Sequence, residues 1–126
     1  MEQQKPTVEQ ILNMMEQNLG EDPKPMRLMA ELMPEWIPRQ AQERKFVFDL
    51  PRVPARYKHL IMIATALAAG CHLCTETFIK LAYRDGVTKE EIAEAIVAAR
   101  FALASTTFAT AVEGMEYLAG KAKEGK

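Results

Sequence analysis

Cys71 and Cys74, spaced C-x-x-C, are the only cysteines of this 126-residue chain, and His72 lies between them. Side chains three residues apart share a helix face within one turn, so these sulfurs can close a disulfide with little backbone movement. That makes a reversible dithiol geometrically cheap. Gly70 interrupts the apolar stretch before the pair, and FIKLAYRDG continues a helical pattern after it, which predicts both cysteines in the first turn of a new helix. Free backbone N–H groups and the helix dipole there favour a thiolate. Lowering a thiol pKa from about 8.5 to about 7 takes roughly 2 kcal/mol of such preference. The competing readings are inert packing cysteines and a metal site. A structural zinc normally needs four ligands, and the pair has only His72 and His59 to recruit, so no metal is expected.

Three further residues are candidates for moving protons to or from the thiols. His59 is a reasonable base at neutral pH, or else it caps the exposed start of a buried helix. His72 either tunes the thiolate or stands solvated beside Glu76. Glu76 either relays protons or simply pairs with Lys80 at i, i+4. Arg100 lies inside an apolar stretch and should be paired, with a carboxylate at an interface or with a substrate anion.

The elements that must position these residues read as helices throughout. Thr7 and Gln10 form a capping-box pattern, followed by Val8, Ile11, Leu12, Met15 and Leu19 at helical spacing up to Gly20. Asp22 as N-cap with Pro23 at the first position predicts a second helix carrying Met26, Leu28, Met29, Leu32 and Met33. Pro34 or Pro38 should break or restart the chain, with a further short helix from Arg39 into Phe46, Val47, Phe48 and Leu50. The prolines of LPRVPAR mark a boundary, and Pro54 opens a helix to about Ala69 that is apolar nearly all round and therefore reads as buried. Thr88 and Glu91 form a second capping box, opening a helix that directs Ile92, Ala95, Ile96, Ala99 and Leu103 inward. Ser105, Thr106 and Thr107 are expected to break it and start a last amphipathic helix, with a fraying tail GKAKEGK. No stretch sustains period-two alternation, so the expectation is a single all-α domain over 1–126, with N-terminal helices over 1–49 and a core over 50–120.

From about Leu50 to Leu118 the chain resembles the carboxymuconolactone decarboxylase family, and within it the alkylhydroperoxidase D-like branch. The matching features are the apolar helix ending Ala-Ala-Gly-Cys71, then Cys74, then LAYRDGVTKEEIAEAIVAA. The resemblance implies an all-α fold assembled as trimers or hexamers, and peroxidase or disulfide-reductase chemistry in which Cys71 and Cys74 cycle between dithiol and disulfide. In the family's peroxidase motif a glutamate twelve residues before the first cysteine and a histidine four residues after the second relay protons. Here those positions hold His59 and Phe78. Phe78 sets an apolar neighbour by Cys74 and argues by desolvation for Cys71 as the more reactive sulfur.

A formal net charge of −1, from 16 basic and 17 acidic residues, gives no electrostatic footprint for nucleic acid or an anionic membrane. The polar N-terminus lacks a signal-peptide layout, and the longest apolar run, Leu60–Ala69, is too short to span a bilayer, so a cytoplasmic location is expected. The favoured activity is thiol–disulfide exchange on a disulfide or peroxide substrate. No cofactor fingerprint is present, so a redox protein or small thiol must supply the electrons. The alternatives are a lyase using His59 and Arg100 on a carboxylated substrate, and a non-catalytic helical assembly module.

Overall fold

The structure, a computed structural model, describes residues 4–125, all of whose regular elements are helices. They are α1 (Val8–Leu19), α2 (Lys24–Leu32), α3 (Trp36–Asp49), α4 (Ala55–Ala69), α5 (His72–Arg84), α6 (Lys89–Thr110) and α7 (Val112–Lys123). The expected all-α fold is the observed one.

α1 starts at the Thr7/Gln10 capping box and stops where Gly20 takes a left-handed conformation. Pro23, not Asp22, occupies the N-cap of α2, and the Asp22 carboxylate instead accepts from the Arg27 guanidinium. α3 is longer than the expected short helix. Pro38 falls in its first turn, where no intrahelical N–H is required of it, so the helix runs through rather than breaking. Ile11, Leu12 and Ile37 are the buried centre of these three helices, with Met15, Met26 and Met29 filling the space around them.

A second core lies between α4, α5 and α6, made of Ile63, Ala82, Val87 and Ile92, with Leu60, Leu67, Phe78 and Ile79 packed against it. Only one side of α4 is covered. Its buried residues are Lys58, His59, Ile63 and Ala66, whereas Tyr57 and Ile61 face outward, contrary to the expectation of a helix buried all round. Lys58 remains buried because its ammonium donates to the carbonyls of Phe48 (3.2 Å) and Leu50 (2.6 Å), capping the end of α3 and joining the two halves of the chain. A Lys80–Glu21 ion pair at 2.6 Å ties α5 to the α1–α2 loop as well.

The largest departures from expectation are in α6 and α7. Ser105, Thr106 and Thr107 do not break the helix, because their hydroxyls donate back to the carbonyls of Phe101, Leu103 and Ala104 at 3.3, 2.6 and 2.8 Å. Side chains satisfied along the helix wall compete little with it. α6 therefore reaches Thr110 and α7 follows after Ala111, continuing to Lys123 where fraying was expected. Of the residues read as pointing inward from α6, only Ile92 is buried, and Ile96 and Leu103 are exposed. By length and composition α6 could cross a membrane, with a window of mean hydropathy 1.4. The reading that took Leu60–Ala69 as the longest apolar run passed over it. Arg100 stands near its middle, where a bilayer centre would charge it about 2.5–3.5 kcal/mol.

Candidate active site

Cys71 belongs to two helices at once. Gly70 adopts φ 72°, a conformation open to glycine at no steric penalty, and turns the chain out of α4. Its N–H bonds the Leu67 carbonyl, and the Cys71 N–H bonds the Ala66 carbonyl, both at 3.1 Å. This paired pattern closes α4. The Cys71 side chain then caps α5, its Sγ accepting the Cys74 N–H at 3.1 Å. The Cys71 carbonyl takes the N–H and the hydroxyl of Thr75 at 3.0 and 2.8 Å. Backbone bonds before and after thus fix this residue, and its sulfur sits at the positive end of the α5 dipole.

Cys71 and Cys74 form a disulfide with Cα atoms 5.2 Å apart, and both residues are half-buried. Beside them lies an open groove of about 470 Å³. Ala66, Leu67, Gly70 and Ile79 give it an apolar floor; Cys71, His72 and Thr75 line one end, and Glu76 and Lys80 the other. Lys80 is held at 3.0 Å from Glu76 and 2.6 Å from Glu21, and both pairings raise its pKa. The structure therefore brings His72 and Glu76 to the cysteine groove. Glu76 makes the i, i+4 pair with Lys80, and the exposed His72 is not paired with it.

His59 is not brought to the cysteines. It lies near the other end of α4, with ten helical residues, about 15 Å of rise, between it and Gly70. Its Nε2 meets Asp85 Oδ2 at 3.0 Å, and Phe48 packs on the ring with centroids 4.8 Å apart. Direct deprotonation of a cysteine by His59 is therefore excluded in this geometry. Phe78, at the position of the family's relay histidine, is packed against the Ile63 core. Arg100 is exposed on α6 and makes no ion pair among the described residues, so it neither meets a carboxylate there nor shares a cavity with His59.

Asp85 was missed by the sequence reading, although its place just after the Arg84 end of α5, in an Asp-Gly turn, marks it as a helix-end residue. Burial pushes the His59 imidazole below its ordinary pKa, more than the Asp85 carboxylate restores, and Arg44 lowers it further. A base that protonates less readily folded than unfolded contributes stability that is full above about pH 6.5 and is lost as pH falls through the folded value. The denaturant midpoint should accordingly drop on acidification below about pH 6.5, and His59→Gln should flatten that part of the pH profile. A variant with the slope of the parent would refute the assignment.

The site and fold together define an all-helical protein carrying a C-x-x-C pair at a helix start. Residues 38–116 match the carboxymuconolactone decarboxylase family, and the chain belongs to that family. The match begins within α3, earlier than the Leu50 at which the resemblance was first legible. No curated protein matches the chain.

Proposed function

We propose that this protein is a thiol–disulfide oxidoreductase of the alkylhydroperoxidase D-like kind, with Cys71 as attacking and Cys74 as resolving residue. The observation that carries the reading is the double anchoring of Cys71, which leaves its sulfur at a helix N-terminus, hydrogen-bonded to the Cys74 N–H and open to a groove. In the reduced pair that N–H and the helix dipole stabilise the Cys71 thiolate. The thiolate attacks one sulfur of a substrate disulfide and expels the other as a thiolate. Cys74 then attacks Cys71 Sγ, releasing the second substrate thiol and closing the Cys71–Cys74 disulfide. The substrate gains two electrons and the protein loses two, which an external dithiol or redox protein returns.

With a hydroperoxide, the thiolate takes the terminal oxygen as a sulfenic acid and releases an alcohol, and Cys74 closes the disulfide with loss of water. That route needs a proton for the departing alkoxide. His59 is remote and Phe78 is apolar, so only His72 and Glu76 are at hand, which favours disulfide over peroxide substrates. The test is trapping. Cys74→Ser incubated with an aromatic disulfide should accumulate a mixed disulfide on Cys71, visible by intact mass, whereas Cys71→Ser should accumulate far less on Cys74. Equal trapping on both would overturn the order, and none on either would overturn the activity. Lyase turnover that survives loss of both cysteines would favour the alternative.

The protein is further proposed to act as an assembly of copies of itself. Its accessible surface is 9956 Å², where a compact monomer of its mass exposes about 6,800 Å². The excess, about 3,200 Å² per protomer, is well above the roughly 800 Å² that a standard interface takes from each partner and points to the large, obligate class. Phe101 and Phe108 on α6 are 76% and 75% exposed, with Tyr117 and Leu118 on α7 beside them in sequence order. Phe101→Glu should convert the assembly to monomers by light scattering; a parent protein that is already monomeric at micromolar concentration would refute the proposal.

A further inference from the structure

A cavity of about 270 Å³ lies between the end of α3, the start of α4 and the α5–α6 turn. Phe48, Arg56, His59 and Asp85 line it, together with Val87 and backbone at Gly86. His59 is only 3% exposed, and its Nε2 is committed to Asp85. Its Nδ1 has no hydrogen-bond partner among the described residues, yet no fully buried side-chain nitrogen there is left unpartnered. Nδ1 is therefore not fully sealed from open space, and the cavity is the space that His59 lines. With Nε2–H donated to the carboxylate, Nδ1 is a lone pair that demands a donor.

The surrounding charge demands an anion. Arg56 lines the cavity and spends one N–H on Glu91 at 2.7 Å, leaving others free. Arg44 lies over the Phe48 ring, Arg84 stands 3.7 Å from Asp85, and the Lys58 ammonium is held just behind at Phe48 and Leu50. Of these cations Arg56 alone lines the cavity, beside Asp85, and Arg44 lies close enough to act on both His59 and Asp85. A carboxylate ligand would satisfy the arginines but at neutral pH has no proton for Nδ1 or for Asp85. A protonated oxyanion has both.

We propose that this cavity binds a phosphate-type monoanion, free or as the end of a small phosphomonoester, its oxygens on Arg56 and its P–OH donated to His59 Nδ1. The volume is that of about nine waters, enough for the tetrahedral group and a short substituent. The site is separate from the cysteine groove, so it stands whether or not the redox reading does.

The two histidines report on the two cavities, His59 on this one and His72 on the groove. The experiment is a titration of the native protein in phosphate-free buffer at about pH 6.5, where part of a phosphomonoester with a second pKa of about 6 keeps its proton, with inorganic phosphate, sulfate or methyl phosphate. Imidazole 15N shifts provide the readout. Phosphate should move His59 saturably and leave His72 still, sulfate of the same shape but without a proton should bind about tenfold more weakly, and Arg56→Gln should weaken phosphate about tenfold. Methyl phosphate binding tighter than phosphate identifies a monoester as the ligand; the reverse identifies the free ion. Sulfate equal to phosphate, movement of His72 in place of His59, or no saturable shift overturns the proposal. Because the anion series needs no substitution, a poorly folding variant does not remove the test.

Discussion

On the proposed thiol–disulfide function, Cys71→Ser and Cys74→Ser should each abolish multiple turnover of a disulfide substrate, lowering kcat by about a thousandfold or more, with the double variant no worse than either single one. The non-additivity follows from the chemistry: the nucleophile and the resolving thiol act as one unit, and neither has a use without the other. The two variants differ in a single turnover. Cys74→Ser still expels one substrate thiolate per protein, because the anchored Cys71 sulfur is intact, whereas Cys71→Ser leaves a sulfur one turn further into α5, away from the cap position. Stopped-flow release of a chromogenic thiol separates these outcomes, and a Cys71→Ser protein with an undiminished burst would contradict the roles assigned here.

Ile63→Ala destabilises the protein by about 2–5 kcal/mol, the usual cost of emptying a fully buried branched side chain. Ile63 is 0% exposed and lies at the centre of the core that α4, α5 and α6 share. Against a total stability of about 5–15 kcal/mol, the loss is large enough to shift a denaturant midpoint severalfold more than Ile61→Ala, two positions away and 55% exposed. The effect reaches the site, since the same residue holds together the two helices whose junction is Gly70 and Cys71. Equal midpoints for the two variants would mean that the covered face of α4 has been misassigned.

Much of this arrangement was legible in the sequence because it is locally encoded. Both capping boxes, at Thr7/Gln10 and Thr88/Glu91, and the helix stops at Gly20 and Gly70 depend on residues within one turn of each other. The position of Cys71 at a helix start follows from the same local rule. What was not legible depends on partners distant in sequence. Nothing near His59 announces that Asp85, twenty-six positions away, will claim its Nε2, and helical spacing alone could not choose between the two apolar sides of α4. The apolar C-terminal half of α6 misled for a related reason. Its pattern is that of a buried helix, and the residues that would bury it are not supplied by the other described residues.

The junction of α4 and α5 gives the central claim its sharpest test, the reactivity of each thiol in the reduced native protein. Iodoacetamide alkylation rates for Cys71 and Cys74 across pH, read by peptide mass spectrometry with matched samples oxidised and then reduced, measure it directly. Cys71 should react faster, with an apparent pKa clearly below the free-thiol value of about 8.5, and a Cys71–Cys74 disulfide should form and be reversed by a dithiol. Slow alkylation of both cysteines at unshifted or raised pKa, with no reversible disulfide, would contradict it.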